Sequence, residues 1–100
     1  MNLSELAHAL NNKPCDFSFR TLANVNLTGQ DLRDSNFEGA VLVDVNLTGA
    51  DLTGANFTRT LLVDVTLDDA TLDNTDFSCS SVWNYRNQPQ GRRPGGPLAQ

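Results

Sequence analysis

The side chains of this sequence that could take part in catalysis are few and lie far apart. The chain has a single histidine, His8, and two cysteines, Cys15 and Cys79. Their spacing indicates neither a Ser-His-Asp nor a Cys-His grouping, and the sequence has no glycine-rich motif that could hold a phosphate. We therefore predict no catalytic residue, no cofactor and no metal site, and we expect a protein that is not an enzyme.

Carboxylates are the most abundant ionisable group. The chain carries 12 acidic and 7 basic residues, which gives a net charge of −5. Eleven of the acidic residues and three arginines lie between residues 16 and 76, whereas residues 85–100 carry three arginines and no acid. An excess of Asp on a surface keeps a protein soluble, but it can also imitate the charge of another polyanion.

These side chains are positioned by a short repeat. Residues 45–57, VNLTGADLTGANF, contain the same five-residue phrase three times, and the phrase continues in both directions without an insertion. A large apolar residue recurs at every fifth position from 17 to 82, and we predict that these residues form the structural core. They are Phe17, Leu22, Leu27, Leu32, Phe37, Leu42, Leu47, Leu52, Phe57, Leu62, Leu67, Leu72, Phe77 and Val82.

A five-residue period is incompatible with one face of an α-helix, because five steps of about 100° leave successive apolar residues about 140° apart. In an extended chain, residues two positions apart point to the same side. Each central residue therefore faces inward together with the smaller residue two places before it, and the Gly, Asp or Asn two places after it suits a corner. The period predicts short extended segments joined by corners.

The spacing of particular residues gives the number of corners in a coil. Among the central residues, phenylalanine occurs only at positions 17, 37, 57 and 77, and valine occurs two places before the centre only at 25, 45 and 65. A spacing of twenty indicates four pentapeptides in each coil. Residues twenty apart then stack at about 4.8 Å, the distance between neighbouring strands.

The pentapeptides ADLTG and ANFTR match the consensus A(D/N)LXX, and VNLTG, QDLRD and SNFEG come close to it. In this respect the sequence resembles the pentapeptide repeat family over about residues 15–84. The resemblance implies an all-β solenoid, a right-handed four-sided parallel β-helix of about three and a half coils. Known members of that family have diverse functions.

The flanks of the repeat have a different character. Residues 1–13 predict a short helix with a capping box formed by Asn2 and Glu5 and an apolar face of Leu3, Leu6, Ala7 and Leu10. We expect this helix to cover the first coil, although a partner-binding helix is the alternative. Residues 14–84 form the predicted solenoid, and residues 85–100, rich in Pro, Gly and Gln, predict a disordered tail.

Two polar residues depart from the repeat in the first coil. Arg20 and Gln30 occupy places that should point inward, and we expect Arg20 to lean out through the open end towards Glu5.

The two cysteines lie near opposite ends of the predicted solenoid. Cys15 should face inward at its start and Cys79 should lie at a corner three coils away, roughly 14 Å by strand spacing. That distance excludes a disulfide, so we expect free thiols and a cytoplasmic location.

One side of the predicted solenoid carries apolar residues on its outside. The pentapeptides AVLVD and TLLVD place Val41, Val43, Leu61 and Val63 where the family has polar residues, with Trp83 one coil further on. An exposed apolar patch commonly marks an interface. We therefore predict a non-enzymatic interaction scaffold that binds a protein partner or a second copy of itself through this side. Cover by the ends of the chain, or an apolar side without a function, are the alternatives.

The acidic surface supports a different hypothesis. Some members of the pentapeptide repeat family protect DNA gyrase and are DNA-shaped acidic rods, so the resemblance suggests a DNA mimic that acts on a topoisomerase or another nucleic-acid enzyme. Those proteins are typically about twice as long. Under either hypothesis we expect no direct contact with nucleic acid, no membrane insertion and no small-molecule substrate.

Overall fold

The structure, a computed structural model, describes residues 1–83. The predicted disordered tail, residues 85–100, lies outside the described residues, as does residue 84. A short N-terminal helix is followed by four parallel strands that pair in chain order. The elements are α1 (Leu3–Asn11), β1 (Thr21–Ala23), β2 (Val41–Val43), β3 (Leu61–Val63) and β4 (Ser81–Trp83). The fold is the predicted right-handed, four-sided solenoid.

A register of twenty residues connects the coils. Leu22 pairs with Leu42 and Leu42 pairs with Leu62 on the strand side. On the other three sides, isolated parallel bridges join residues with the same spacing, such as Asn26 with Asn46. The coils are therefore held together on all four sides by backbone hydrogen bonds, which run parallel to the axis of the solenoid.

The side chain just before each central residue distinguishes most of the strand side from the other three sides. On three sides this residue is mostly Asn or Asp, and its Oδ1 accepts a hydrogen bond from the backbone N–H two residues on, as Asn46 does from Thr48 at 3.0 Å. This Asx turn pulls the backbone out of the extended conformation. The fourth side has Val41 and Leu61 at the same place, which offer no such acceptor, and there the chain remains a β-strand.

The corners have left-handed backbone conformations. A positive φ occurs at every fifth residue from position 19 to position 79. Gly, Asn and Asp adopt this conformation most easily, which explains why they predominate there. Gly39 has a second reason to be glycine, because a Cβ at this position would overlap the ring of Phe19.

The core is a single column of central side chains. The ten central residues from Phe17 to Leu62 have at most 1% of their surface exposed. Phenyl rings stack along one edge of the column, with centroid distances of 4.9 Å for Phe17 and Phe37, 4.4 Å for Phe37 and Phe57, and 5.1 Å for Phe57 and Phe77. The last four central residues pack on the column but remain partly exposed. They are Leu67, Leu72, Phe77 and Val82.

Helix α1 covers the first coil. Its capping box is present, since the Asn2 side chain accepts from the Glu5 N–H at 2.8 Å and the Glu5 carboxylate accepts from the Asn2 N–H at 3.1 Å. The side of the helix that packs on the core consists of Leu6, Ala9 and Leu10. The predicted apolar face was therefore partly wrong, because Leu3 and Ala7 are exposed.

Positively charged groups complete the N-terminal cover. The backbone carbonyls of Thr21 and Asp31 point out of the first coil, where a preceding coil would supply hydrogen bonds. The Met1 ammonium donates to the Thr21 carbonyl at 2.8 Å, and the Lys13 ammonium donates to the Asp31 carbonyl at 2.7 Å. Arg20 leans outward and pairs with Glu5 at 2.9 Å, as predicted.

Both cysteines are free thiols; Cys15 is buried and Cys79 is exposed. Gln30, which like Arg20 occupies a place of the repeat that should point inward, is half-buried. Within residues 1–83, no helix has the length and apolar character needed to cross a bilayer.

Within the described part of the chain, the buried hydroxyl of Ser35 lacks a hydrogen-bond partner. At the equivalent place five pentapeptides further on, the Thr60 hydroxyl donates to the carbonyl of Phe37, 23 residues earlier, at 2.8 Å. The corresponding carbonyl for Ser35 belongs to Asn12, which lies at the end of α1 rather than in a coil. The Ser35 hydroxyl is therefore desolvated without compensation.

Replacing Ser35 with Ala should raise the free energy of unfolding by about 1 kcal/mol, because a buried unpaired hydroxyl is removed. Urea denaturation of the full chain measures this change. As a matched control, Thr60→Val removes a hydroxyl that is paired and should lower the free energy of unfolding by about 1 kcal/mol. Equal destabilisation by both substitutions would contradict the interpretation of Ser35.

Candidate interaction face

The apolar side of the solenoid is the sheet formed by β1 to β4. Its outward side chains form two ladders, each of which runs through all four strands. One ladder contains Thr21, Val41, Leu61 and Ser81, and the other contains Ala23, Val43, Val63 and Trp83. We call this surface the strand face. It brings together all five residues that the sequence predicted for partner binding.

Parallel pairing determines the shape of the strand face. Because the strands are in register, Val41 lies directly beside Leu61, and Val43 lies directly beside Val63. Each of these four side chains is half-buried, since its neighbours in the ladder cover its flanks. What remains exposed of these four side chains is a continuous apolar strip.

The other three sides differ from the strand face in the same two places of the pentapeptide. Where β2 has Val41, the next side has Asn46, and where β2 has Val43, the next side has Thr48. These polar side chains bond to one another, as the Thr48 hydroxyl does with the Asn46 carbonyl oxygen. On the strand face, Val41, Val43, Leu61 and Val63 lack this pairing and offer apolar contact, whereas Thr21 and Ser81 end the first ladder with hydroxyl groups.

An acidic corner borders the strand face. Asn24, Asp44 and Asp64 directly follow β1, β2 and β3, and all have φ between 52° and 57°. The two aspartates flank a shallow recess of about 220 Å³. Among residues 1–83, no three His, Cys, Asp or Glu side chains are grouped in a way that could hold a metal ion.

A groove continues the strand face towards the N-terminus. It lies between the start of α1 and the first coil, has a volume of about 770 Å³ and includes Ala23, the first residue of the second ladder. Leu3, on its rim, has 84% of its surface exposed. The sequence did not predict Leu3 as part of a surface, because its spacing from Leu6 matched that of a buried helical face.

The repeat responsible for this geometry has relatives. A family model described as pentapeptide repeats matches residues 15–49 and 40–78, with eight copies of the repeat. The chain belongs to the pentapeptide repeat family. No curated protein sequence matches it.

Solved structures of pentapeptide repeat proteins resemble this one. The protein Rfr23 of the cyanobacterium Cyanothece 51142 is 26% identical, with a TM-score of 0.54; the match covers 77% of this chain and 65% of that one, slightly less than two thirds of its length. Two further pentapeptide repeat proteins have TM-scores below 0.5 and therefore add nothing about the geometry. One, from Nostoc Pcc 7120, is 25% identical (TM-score 0.31), with 76% of this chain and 75% of that one covered. The other, from the Arabidopsis thaliana thylakoid lumen, is 28% identical (TM-score 0.29), with 73% and 70% covered.

The acidic ladders of this pentapeptide repeat protein are partly neutralised. Asp31 and Asp51 stack one coil apart, and Arg33 lies against both, with its Nε 2.8 Å from the Asp31 Oδ1 and 3.9 Å from the Asp51 Oδ2. Hydrogen bonds from the Arg33 side chain hold the pKa of Asp31 below its usual range. The surface is therefore less uniformly negative than the sequence suggests.

Hydrogen bonds within their own turns lower the pKa of three aspartates. In Asp16, Asp51 and Asp76, the carboxylate accepts a hydrogen bond from the hydroxyl two residues on, and a second from the backbone N–H of the same residue. The hydroxyl bond is the main cause of the lowered pKa, followed by the N–H bond. In the unfolded chain these bonds are lost, and each carboxylate returns to its ordinary pKa of about 3.9.

A pKa that is lower in the folded state stabilises the fold above the pKa of the unfolded chain, and that stability is lost as the pH falls through the folded pKa. The free energy of unfolding should therefore fall below about pH 4. A triple Asp16→Asn, Asp51→Asn, Asp76→Asn variant should unfold like the wild type at pH 7, since Asn46 forms the same turn, and should lose less stability between pH 5 and pH 2.

Urea denaturation at a series of pH values measures this effect. The control variant, Asp68→Asn, Asp69→Asn, Asp73→Asn, removes the same charge from side chains that make no hydrogen bond in the described part of the chain. Its acid sensitivity should remain close to that of the wild type. If the two triple variants changed the pH dependence equally, net charge rather than the turn hydrogen bonds would be the cause.

Proposed function

We propose that this pentapeptide repeat protein is a non-enzymatic interaction scaffold that binds a protein partner, or a second copy of itself, through the strand face. The observation that carries this proposal is the continuity of its apolar ladders. Val41 with Leu61 and Val43 with Val63 lie in register at places where the other sides have hydrogen-bonded polar residues.

Folding alone does not require apolar residues at these places. Asx and Thr residues form stable turns at the same places on the other sides, and the inward central residues already supply the core. Outward Val and Leu side chains leave apolar surface in water, and covering that surface on association would release the water that hydrates it. A continuous apolar strip suits contact with another apolar surface.

The acidic DNA mimic is a weaker alternative for this chain. It requires regularly spaced negative charge, but Arg33 lies between Asp31 and Asp51, and Arg59 lies 3.6 Å from Glu38. Positive charges therefore interrupt the pattern on the described surface. The two free cysteines favour a reducing compartment, and we propose the cytoplasm.

The test introduces charge into the strand face. Val43→Lys with Val63→Lys places two like charges on neighbouring coils, on the outside of the sheet, where the core is not disturbed. We expect this variant to fold, to be monomeric in sedimentation equilibrium at every concentration, and to lose any binding partner that the wild type retains on an affinity support.

The chain supplies a matched control. Thr28→Lys with Thr48→Lys occupies the same place of the pentapeptide, one coil apart, on the adjacent polar side. This variant should keep the wild-type mass and the wild-type partners. If the Val variant associated as the wild type does, the strand face would not be the interaction surface. A loss of binding on neutralising Asp44, Asp51 and Asp68 instead would favour the DNA mimic.

A further inference from the structure

The strand face has two edges that differ in charge. The corner residues two places before the strands form what we call the entry edge, and they are Phe19, Gly39, Arg59 and Cys79. The corner residues directly after β1, β2 and β3 form the exit edge, and they are Asn24, Asp44 and Asp64. The entry edge therefore carries a guanidinium and no acidic residue, whereas the exit edge carries two carboxylates.

The apolar ladders alone are too small to hold two proteins together. Four strands of three residues each, at about 4.8 Å between strands and about 3.3 Å per residue, form a strip of roughly 14 Å by 10 Å. A stable interface buries about 800 Å² on each partner. A protein that binds the strand face must therefore contact the edges as well, and the edges decide its orientation.

Two large apolar side chains are exposed in the described part of the chain, and they lie on opposite sides of the strand face. Phe19, at the entry edge, has 71% of its surface exposed, and Leu3 has 84%. Leu3 lines the groove of about 770 Å³ that includes Ala23 and Asn24, on the exit side of the first coil. The first coil therefore has an exposed aromatic ring on one side and a groove with an apolar rim on the other.

Phe19 is also unusual in its backbone conformation. Its φ is 59°, a left-handed value that is unfavourable for a bulky side chain and that Asn adopts more easily, as it does at Asn24. The ring lies over Gly39 rather than in the core. Aromatic side chains contribute strongly to interfaces. Phe19 is therefore better suited to contact with another molecule than to the stability of its own corner.

We infer that the occupant of the strand face is a second copy of this chain, related to the first by a two-fold axis parallel to the solenoid axis. This inference rests on the proposed function, since it names the partner of the same surface. The axis places the entry edge of each copy against the exit edge of the other, at the same height. Phe19 of each copy then lies beside Ala23 and the groove of the other, and the two-fold axis repeats this contact.

The charges of the two edges fit this orientation. Because the chain rises steadily along the solenoid, Arg59 lies between the heights of Asp44 and Asp64 and faces the acidic edge of the other copy. Within its own chain, Arg59 lies 3.6 Å from Glu38, and 72% of its side chain is exposed. An ion pair this exposed contributes little, so the guanidinium can turn towards the carboxylates of a second copy.

A two-fold axis parallel to the strands is the other way to bring two strand faces together. This axis reverses the heights and places each edge against the same edge of the other copy. Asp44 of one copy would then face Asp64 of the other, and like charges repel. Phe19 would lie opposite Cys79 and far from the groove. Charge and shape therefore favour the same orientation, the one with the axis parallel to the solenoid.

Sedimentation equilibrium of an Asp44→Arg variant separates the two orientations. In the inferred dimer this substitution places a guanidinium against Arg59 of the other copy, and it should raise the dimer dissociation constant by about tenfold or more. Adding Arg59→Asp to the same chain restores opposite charges and should recover most of the lost affinity. A tighter dimer for Asp44→Arg alone would indicate the other axis and overturn the inference.

The matched control is Asp69→Arg. Asp69 is an exposed corner residue with a φ of 59°, and its corner does not border the strand face. The substitution makes the same change in net charge and should leave the dissociation constant unchanged. Equal weakening by Asp44→Arg and Asp69→Arg would show that net charge, rather than contact between the edges, is responsible, and would overturn the orientation.

Replacing Phe19 with Asn tests the aromatic contact. Because Asn tolerates the left-handed corner, the variant should keep the fold, as measured by circular dichroism, and should weaken the dimer by about tenfold or more. Phe19→Tyr keeps the ring and should keep the wild-type dissociation constant. An unchanged constant for the Asn variant would remove Phe19 from the interface.

The inference and the proposed function fail in different experiments. A wild type that remains monomeric at every concentration would overturn the second copy as the occupant of the strand face. The strand face itself would fail as an interaction surface if the Val43→Lys, Val63→Lys variant kept the self-association and the partners of the wild type.

Discussion

The structure depends on one constraint, the twenty-residue register of the backbone ladder. The N–H of a central residue such as Leu47 meets the carbonyl 19 positions later, and this single offset stacks residues that hold the same place in neighbouring coils. Phenyl rings lie on phenyl rings, Asn lies on Asn, and Val43 lies on Val63. A property that is weak at one residue, such as an outward valine, therefore becomes a continuous surface because the register repeats it along the axis.

The register also explains where polar groups are satisfied. In the middle of the solenoid, each coil supplies the donors and acceptors for its neighbours, so no special residue is needed. At the first coil this supply stops, and the chain replaces it with α1, the Met1 ammonium and the Lys13 side chain. Ser35 is an internal case of the same problem, since its hydroxyl lacks the carbonyl that a preceding coil would have supplied. The irregular residues of the chain are concentrated where the ladder ends.

Much of this architecture could be predicted from the sequence, because a five-residue period with phenylalanine at every twentieth position has few structural solutions. The strand face could be predicted too, since Val41 and Val63 replace polar residues at fixed places of the repeat. The packing of α1 could not. Leu3 and Ala9 both fit a helical spacing, and only the position of the helix on the first coil decides that Ala9 is buried and Leu3 is exposed. The pairing of Arg33 with both Asp31 and Asp51 was equally hidden, because it depends on a side-chain rotamer rather than on the period.

The four-sided coil has a consequence for how such a chain can change length. Duplicating one pentapeptide would rotate all later residues by a quarter of a turn. The core would lose the alignment of its phenyl stack but would keep a large apolar residue at every central place. The strand face would not, since Leu61 and Val63 would then continue a polar side and the apolar strip would be divided. To preserve this surface, pentapeptides between the strands must therefore be gained or lost four at a time, which adds or removes a whole coil.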